Sequence, residues 1–248
     1  MAAVALVALA ALASGCGTRH AVAQPKPKPH HHAVAVAAVG VTAPADTTLV
    51  ATTHGAIPGS PAPGAPENLV VPADWYGYPS VLPVIDSVPH WVEVRLAQRP
   101  NGATTWVPQA DVTLSVTPFR IVVNLSTEHL AVFEYGKQTL DFPAGIGTPD
   151  DPTVTGNYFL TMTVPPPDPG YGPFVLVTSA HSNAITDWEA SGDAIIAIHG
   201  PITSYDDSRI GTTGAAISHG CIRLHDADLA QLAGIPAGTP IDIVASQA

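Results

Sequence analysis

Cysteine is nearly missing from this chain, with two in 248 residues, Cys16 and Cys221. Cys16 lies at the end of an N-terminal apolar segment, so Cys221 has no disulfide partner in the folded part, and a disulfide framework is excluded. Its presence calls for another explanation, and reactivity is the direct one. Charge is sparse and one-sided: nine Lys and Arg stand against 20 Asp and Glu. From Asn68 onward there are 18 acidic and six basic side chains and no basic cluster, which argues against nucleic acid as a partner. Long hydrophobic runs are missing too. Met1 to Ala13 is almost all Ala, Val and Leu, but it falls short of the roughly 18 apolar residues a spanning helix needs, and it reads as a secretory signal.

The signal ends in Leu12-Ala13-Ser14-Gly15-Cys16, which resembles the bacterial lipobox, in which the cysteine is diacylated and becomes the mature N-terminus. Residues 1–16 are therefore read as a signal and lipobox segment with Cys16 as lipid anchor. Simple cleavage and release is the alternative, since no Lys or Arg precedes the apolar run and Ala13 stands where a bulkier aliphatic is usual. An exported protein of the cell envelope, outside the plasma membrane, is expected. Residues 17–66 contain no Phe, Trp or Tyr and eight prolines, and are read as a disordered tether that buries too little surface to offset its ordering entropy. About fifty such residues have a root-mean-square span of roughly 40 Å. The triplet His30-His31-His32 has no second ligand cluster nearby, so a solvated linker is read there and no metal.

The remainder reads as mainly β, one small and one medium domain. In residues 67–117, Trp91, Glu93 and Arg95 alternate with Val92, Val94 and Leu96, the period of a half-buried strand. Val81 to Ile85 and Thr105 to Val107 are further short strands, with a turn at Arg99-Pro100-Asn101-Gly102. Trp91-Val92-Glu93-Val94-Arg95 with Pro100-Asn101-Gly102 and Trp106-Val107 resembles a small SH3-like barrel of wall-associated proteins, whose aromatics are assigned to its core. In residues 118–248, strands are expected at 119–125, 129–135, 139–143, 158–164, 174–178, 194–199 and 241–244. One short helix is expected, with Asp226 as its cap, Leu229 and Leu232 on its inner face and Gly234 at its end.

The chemistry concentrates near the C-terminus. On a strand from Ala194 to His199, Ile196 and Ile198 face the core while Ala197 and His199 share the other face. On a strand from Cys221 to Leu224, Cys221 and Arg223 face together. One cleft then holds a thiol, an imidazole and a guanidinium, the ingredients of an activated cysteine nucleophile. Gly220 lets a carbonyl approach the neighbouring N–H groups, where an oxyanion is held.

Ala197-Ile198-His199-Gly200 followed by Ser218-His219-Gly220-Cys221-Ile222-Arg223-Leu224 resembles the L,D-transpeptidase (YkuD-like) family of bacterial peptidoglycan enzymes. Val122 to Leu125 with Leu130 to Phe133 is similar to that family's opening hairpin. Thr153-Val154-Thr155-Gly156-Asn157-Tyr158-Phe159 resembles its Thr-Pro-x-Gly-x-Phe segment, with Val154 in place of proline. The resemblance implies a β-sandwich catalytic domain in which Cys221 is the nucleophile, His199 its base, and the Gly200 carbonyl the group that orients the imidazole. It also implies main-chain groups of His219 and Gly220 at the oxyanion site, Ser218 toward the substrate, and Arg223 either contacting the substrate or bracing the cleft. Tyr171 and Trp188 either line a donor pocket beneath a lid formed by 165–193 or are packed aromatics of a surface loop. His219 is the alternative base, and the family pattern alone selects His199. His181 and His225 are read as surface residues.

The implied reaction is acyl transfer on peptidoglycan stem peptides, from a donor tetrapeptide to an amine acceptor, through a thioester and without metal or organic cofactor. A carbapenem is the expected covalent inhibitor. The competing readings are an L,D-carboxypeptidase or wall-peptide hydrolase using the same Cys and His, and a non-catalytic wall-binding protein.

Overall fold

The computed structural model describes residues 32–33, 40–186 and 193–246 of the chain. The signal and lipobox segment, including Cys16, residues 17–31 and 34–39 of the tether, and Trp188 lie outside the described residues. Two β-rich units follow one another, mainly β with two short α-helices among the described residues.

The first unit is a six-stranded antiparallel sheet in the order His32–Ala33, Val112–Thr117, Thr48–Thr53, Val81–Val88, Trp91–Arg95, Thr104–Pro108. Its second half follows the alternation read from the sequence, with Val92 and Val94 fully buried between half-exposed neighbours. The tether boundary is corrected here. Thr48–Thr53 sits near the middle of the sheet between Val112–Thr117 and Val81–Val88, with Leu49, Val50 and Ala51 buried. The residues Thr-Thr-Leu-Val-Ala-Thr-Thr suit a pleated, half-buried surface, and the proline-rich average of the flanking chain conceals them. The folded unit therefore begins before residue 67. The buried core residues that this unit supplies itself are Leu, Val, Ile and Ala, so the lack of aromatics did not mark disorder over Thr48–Thr53. The SH3-like resemblance of this unit remains a proposal.

The second unit is an eight-stranded mixed sheet: Lys137–Pro143, His129–Glu134, Phe119–Asn124, Pro240–Val244, Gly156–Val164, Val175–His181, Ile195–His199, Ile222–Arg223. Two pairings in it are parallel, Phe119–Asn124 with Pro240–Val244 and Ile195–His199 with Ile222–Arg223. Phe119–Asn124 is buried on both faces at Ile121, Val122 and Val123, as a near-continuous apolar run with a parallel neighbour requires. The Asn124 carboxamide oxygen accepts from Ser126 N (3.0 Å) and Thr127 N (3.3 Å), closing the turn into His129–Glu134. A helix forms at Asp226–Ala230 with Leu229 and Leu232 fully buried, but its N-cap is His225, without a side-chain cap, and Asp226 is the first helical residue. The second helix, Ser204–Arg209, was not expected. Thr203 caps it, its hydroxyl accepting from Asp206 N at 3.1 Å, the short capping arrangement that polar loop composition obscures.

The units are packed together. Phe159, on a central strand of the second unit, belongs to the core of the first, and Thr117 and Thr239 share a buried hydroxyl contact at 3.2 Å.

Candidate active site

Strand register builds the site. Ile198 is paired with Ile222 and His199 with Arg223. Ile196, Ile198, Ile222 and Leu224 are in the hydrophobic core, and Ala197, His199, Cys221 and Arg223 line a cleft of about 480 Å³. The alternation of two adjacent parallel strands thus carries the thiol, imidazole and guanidinium to one side while their neighbours anchor the strands.

Cys221 keeps some surface, and its Sγ accepts from the Ala197 N–H at 3.4 Å. Burial pushes its thiol above the usual value, with the Ala197 N–H and the positive charge of Arg223 pulling the other way. His199 is 2% exposed. Burial lowers its pKa to about 4; the bond to Gly200 opposes this, the Arg223 charge adds to it, and Asp168 opposes it. The resting pair is therefore a neutral thiol beside a neutral imidazole.

His199 Nδ1 lies 2.7 Å from the Gly200 carbonyl oxygen. A carbonyl can only accept, so Nδ1 carries the hydrogen and Nε2 keeps its lone pair. The Gly200 N–H donates to the Tyr171 carbonyl at 2.8 Å. A Cβ on Gly200 would stand 2.5 Å from Asp226 Oδ1 and 2.7 Å from Gly172 N, so a glycine after this histidine is a steric requirement. The Tyr171 ring packs on the imidazole, with centroids 4.7 Å apart and planes tilted by 41°, so Tyr171 both lines the cleft and braces His199.

The residues before Cys221 form a tight internal network. Ser218 is 2% exposed; its hydroxyl donates to the Cys221 carbonyl at 2.6 Å and accepts from Gly220 N at 3.1 Å. Ser218 is thus corrected from substrate contact to loop brace. Gly220 is corrected as well: its N–H is taken by Ser218 and its carbonyl by the Thr153 hydroxyl at 2.8 Å, so neither points to an incoming oxyanion. What Gly220 supplies is backbone conformation, φ +112°, which L side chains rarely adopt. Thr153 also accepts from Gly147 N at 2.8 Å, so the Thr-Val-Thr-Gly segment buttresses the cysteine loop. His219 lies at the mouth of the cleft, its side chain 62% exposed and Nε2 3.8 Å from Asp151 Oδ2. Burial and a fixed Nδ1 thus separate His199 from His219 physically.

Arg223 is 7% exposed. Its Nη1 is 2.9 Å from Asp206 Oδ2 and donates to the Pro201 carbonyl at 3.4 Å, while Nε is buried with no hydrogen-bond partner among the described residues. Asp206 went unremarked in the sequence because nothing local links it to Arg223, 17 positions on. His181 is corrected from surface to core: it is 3% exposed, with Nδ1 2.7 Å from Asp193 Oδ2. His225 is partly exposed and pairs with Asp207 at 2.6 Å. Tyr76 and Tyr78 of the first unit also line the cleft, and no motif pointed to them. Among the described residues, no group of three or more His, Cys, Asp or Glu is placed to hold a metal ion.

Residues 118–243, half of the chain, match the family model described as YkuD, L,D-transpeptidase catalytic domain. The chain is 27% identical over 127 residues to a curated Bacillus licheniformis protein named "Putative L,D-transpeptidase YkuD", covering 51% of this chain and 66% of that protein, just under two thirds of its length. Among solved structures it is similar to an L,D-transpeptidase from Mycobacterium smegmatis, at 18% identity and TM-score 0.40 over 64% of this chain and 91% of that one. It is also similar to LD transpeptidase LdtMt1 in complex with imipenem, at 18% identity and TM-score 0.43 over 88% of this chain and 100% of that one.

Proposed function

The chain belongs to the L,D-transpeptidase family through its YkuD catalytic domain, and from that premise we propose that it is a cysteine acyltransferase that cross-links peptidoglycan stem peptides. The observation that carries this reading is an imidazole at the end of one strand and a thiol immediately before its parallel neighbour, both lining one cleft, the imidazole tied through Nδ1 to a backbone carbonyl. In the proposed cycle, Cys221 Sγ attacks the carbonyl before the terminal D-alanine of a tetrapeptide as His199 Nε2 takes the thiol proton. Collapse of the tetrahedral intermediate breaks the C–N bond, and His199 returns the proton to the departing D-alanine nitrogen. The amine of a second stem then attacks the thioester, His199 accepts its proton, and the sulfur leaves to be reprotonated.

With Gly220 N–H committed within the loop, the Cys221 N–H is the proposed oxyanion donor, a group of the kind whose loss costs about 100-fold or more in turnover. Arg223, held by Asp206 at the cleft wall, supplies fixed positive charge beside the developing negative charge. The proposal locates the enzyme outside the plasma membrane, with Met1 to Ala13 as export signal and Cys16 as lipid anchor.

The test is incubation of the protein with tetrapeptide muropeptides and separation of the products. Cross-linked dimers with released D-alanine are expected, and both vanish in Cys221→Ala. Trimmed monomers without dimers establish the hydrolytic alternative, in which water takes the acyl group, and no D-alanine release overturns the acyltransferase reading.

A further inference from the structure

The first unit sends one hairpin to the Cys221 cleft. Asp74–Trp75 pairs with Tyr78–Pro79 as a minimal hairpin, turned by Tyr76 at φ +50° and Gly77 at φ +82°, with Gly77 N donating to Asp74 Oδ1 at 2.9 Å. Two consecutive positive φ values define a turn whose first position favours Asn, Asp or Gly. A tyrosine there is a strained choice, made also in the Tyr135–Gly136 turn at φ +48° and +72°, so what sets Tyr76 apart is its place at the cleft. No burial recompenses it within the first unit, because Tyr76 is 79% exposed. Tyr76 and Tyr78 nevertheless line the cleft that holds Cys221, His199 and Arg223.

The hairpin is fixed relative to that cleft. Trp75 roots it in the first unit's core. The same unit also grips the second beside the cleft: Arg99 Nε is 2.9 Å from Asp193 Oδ1, and its Nη2 donates to the Ser182 carbonyl at 2.7 Å. Asn101 exchanges two bonds with the His181 backbone, at 2.8 and 2.9 Å. Ser182 and Asp193 are themselves cleft-lining.

We propose that the Tyr76–Tyr78 hairpin is a substrate-binding wall of the active-site cleft, the Tyr76 ring lying against an extended peptide stem whose carbonyl reaches Cys221. The proposal rests on the acyl-transfer reading. The same cleft is lined by Met162, Val164 and Val177, an apolar surface suited to the aliphatic parts of a stem, while the strand ends supply the polar groups. Donor and acceptor stems share this chemistry.

The experiment uses the full chain carrying Cys221→Ala and measures binding of a disaccharide tetrapeptide by calorimetry, with and without Tyr76→Asn or Tyr76→Phe. Asn suits the turn, so Tyr76→Asn keeps or raises the melting temperature while weakening binding about 5- to 10-fold, and Tyr76→Phe, which keeps the ring, stays within about twofold. With Cys221 intact, a raised KM for D-alanine release assigns the wall to the donor. Unchanged release with fewer dimers assigns it to the acceptor. Binding by Tyr76→Asn within twofold of the parent, or no binding by the parent, overturns the proposal. Failure of the acyl-transfer reading is seen separately, as no D-alanine release by protein with Cys221 intact, and the binding series still decides the hairpin.

Discussion

His199 and Cys221 carry their pKa values in directions that keep both neutral at rest, the imidazole down to about 4 and the thiol up. A preformed thiolate–imidazolium pair is thereby disfavoured, and proton transfer must accompany attack. Because the base function is lost only on protonation of His199, kcat/KM for D-alanine release is expected to hold as pH falls through the ordinary histidine range, to be halved near 4, and not to show an acid limb at 6.5. The sign for stability follows from the same shift. Between 6.5 and about 4 the unfolded chain binds a proton that the folded chain refuses, so stability is full above 6.5 and falls as pH drops through this window, on the order of 3 kcal/mol in all. His199→Gln removes that portion of the slope in denaturant titrations at successive pH values. A wild-type acid limb at 6.5 contradicts the assignment of a buried neutral base.

At the scale of elements, the site is a pair of parallel strands steadied by three neighbours: the Thr153 segment, the turn carrying Tyr171, and the helix Ser204–Arg209. The strands were legible because Ile196, Ile198, Ile222 and Leu224 alternate with the reacting residues, and period-two alternation survives without knowledge of the partners. The neighbours were not. Thr153 reaches Gly220 across 67 positions and Asp206 reaches Arg223 across 17, distances at which a single sequence carries no pairing signal. Ser218 and Gly220 were misplaced for a related reason: a motif names residues near the chemistry without saying which hydrogen bonds stay inside the loop. The Arg223–Asp206 pair, with side chains 9% and 13% exposed, is the element most open to a stability test. Asp206→Ala leaves a buried guanidinium without its counter-charge, and a loss of about 3 kcal/mol in denaturant unfolding is expected. A loss below about 1 kcal/mol shows that the pair is solvated and does not hold Arg223 in place.

Over the whole molecule, the catalytic unit stood out in the sequence because a specific heptapeptide and an upstream His-Gly, 18 positions apart, meet where Ile195–His199 pairs with Ile222–Arg223. The boundary of the first unit did not. A six-residue strand with three Thr among Leu, Val and Ala, at Thr48–Thr53, was averaged into a proline-rich stretch, and composition over fifty residues cannot resolve an element that short. Nor did any local pattern foretell that Phe159 inserts into the first unit's core or that Tyr76 lines the cleft, since both depend on how two separately patterned sheets meet. The strands that carry the site, from Ile195–His199 to Ile222–Arg223, come together only in the assembled second unit, so its chemistry is a property of the folded whole. The most direct measurement is the intact mass of the folded protein after exposure to a carbapenem: attack by Cys221 breaks the lactam C–N bond, forms a thioester and moves the thiol proton to nitrogen, with every atom retained. The account predicts a gain of one whole drug mass in the wild-type chain and none in Cys221→Ala, whereas a folded wild-type chain that gains nothing, or a Cys221→Ala chain that gains as much, contradicts it.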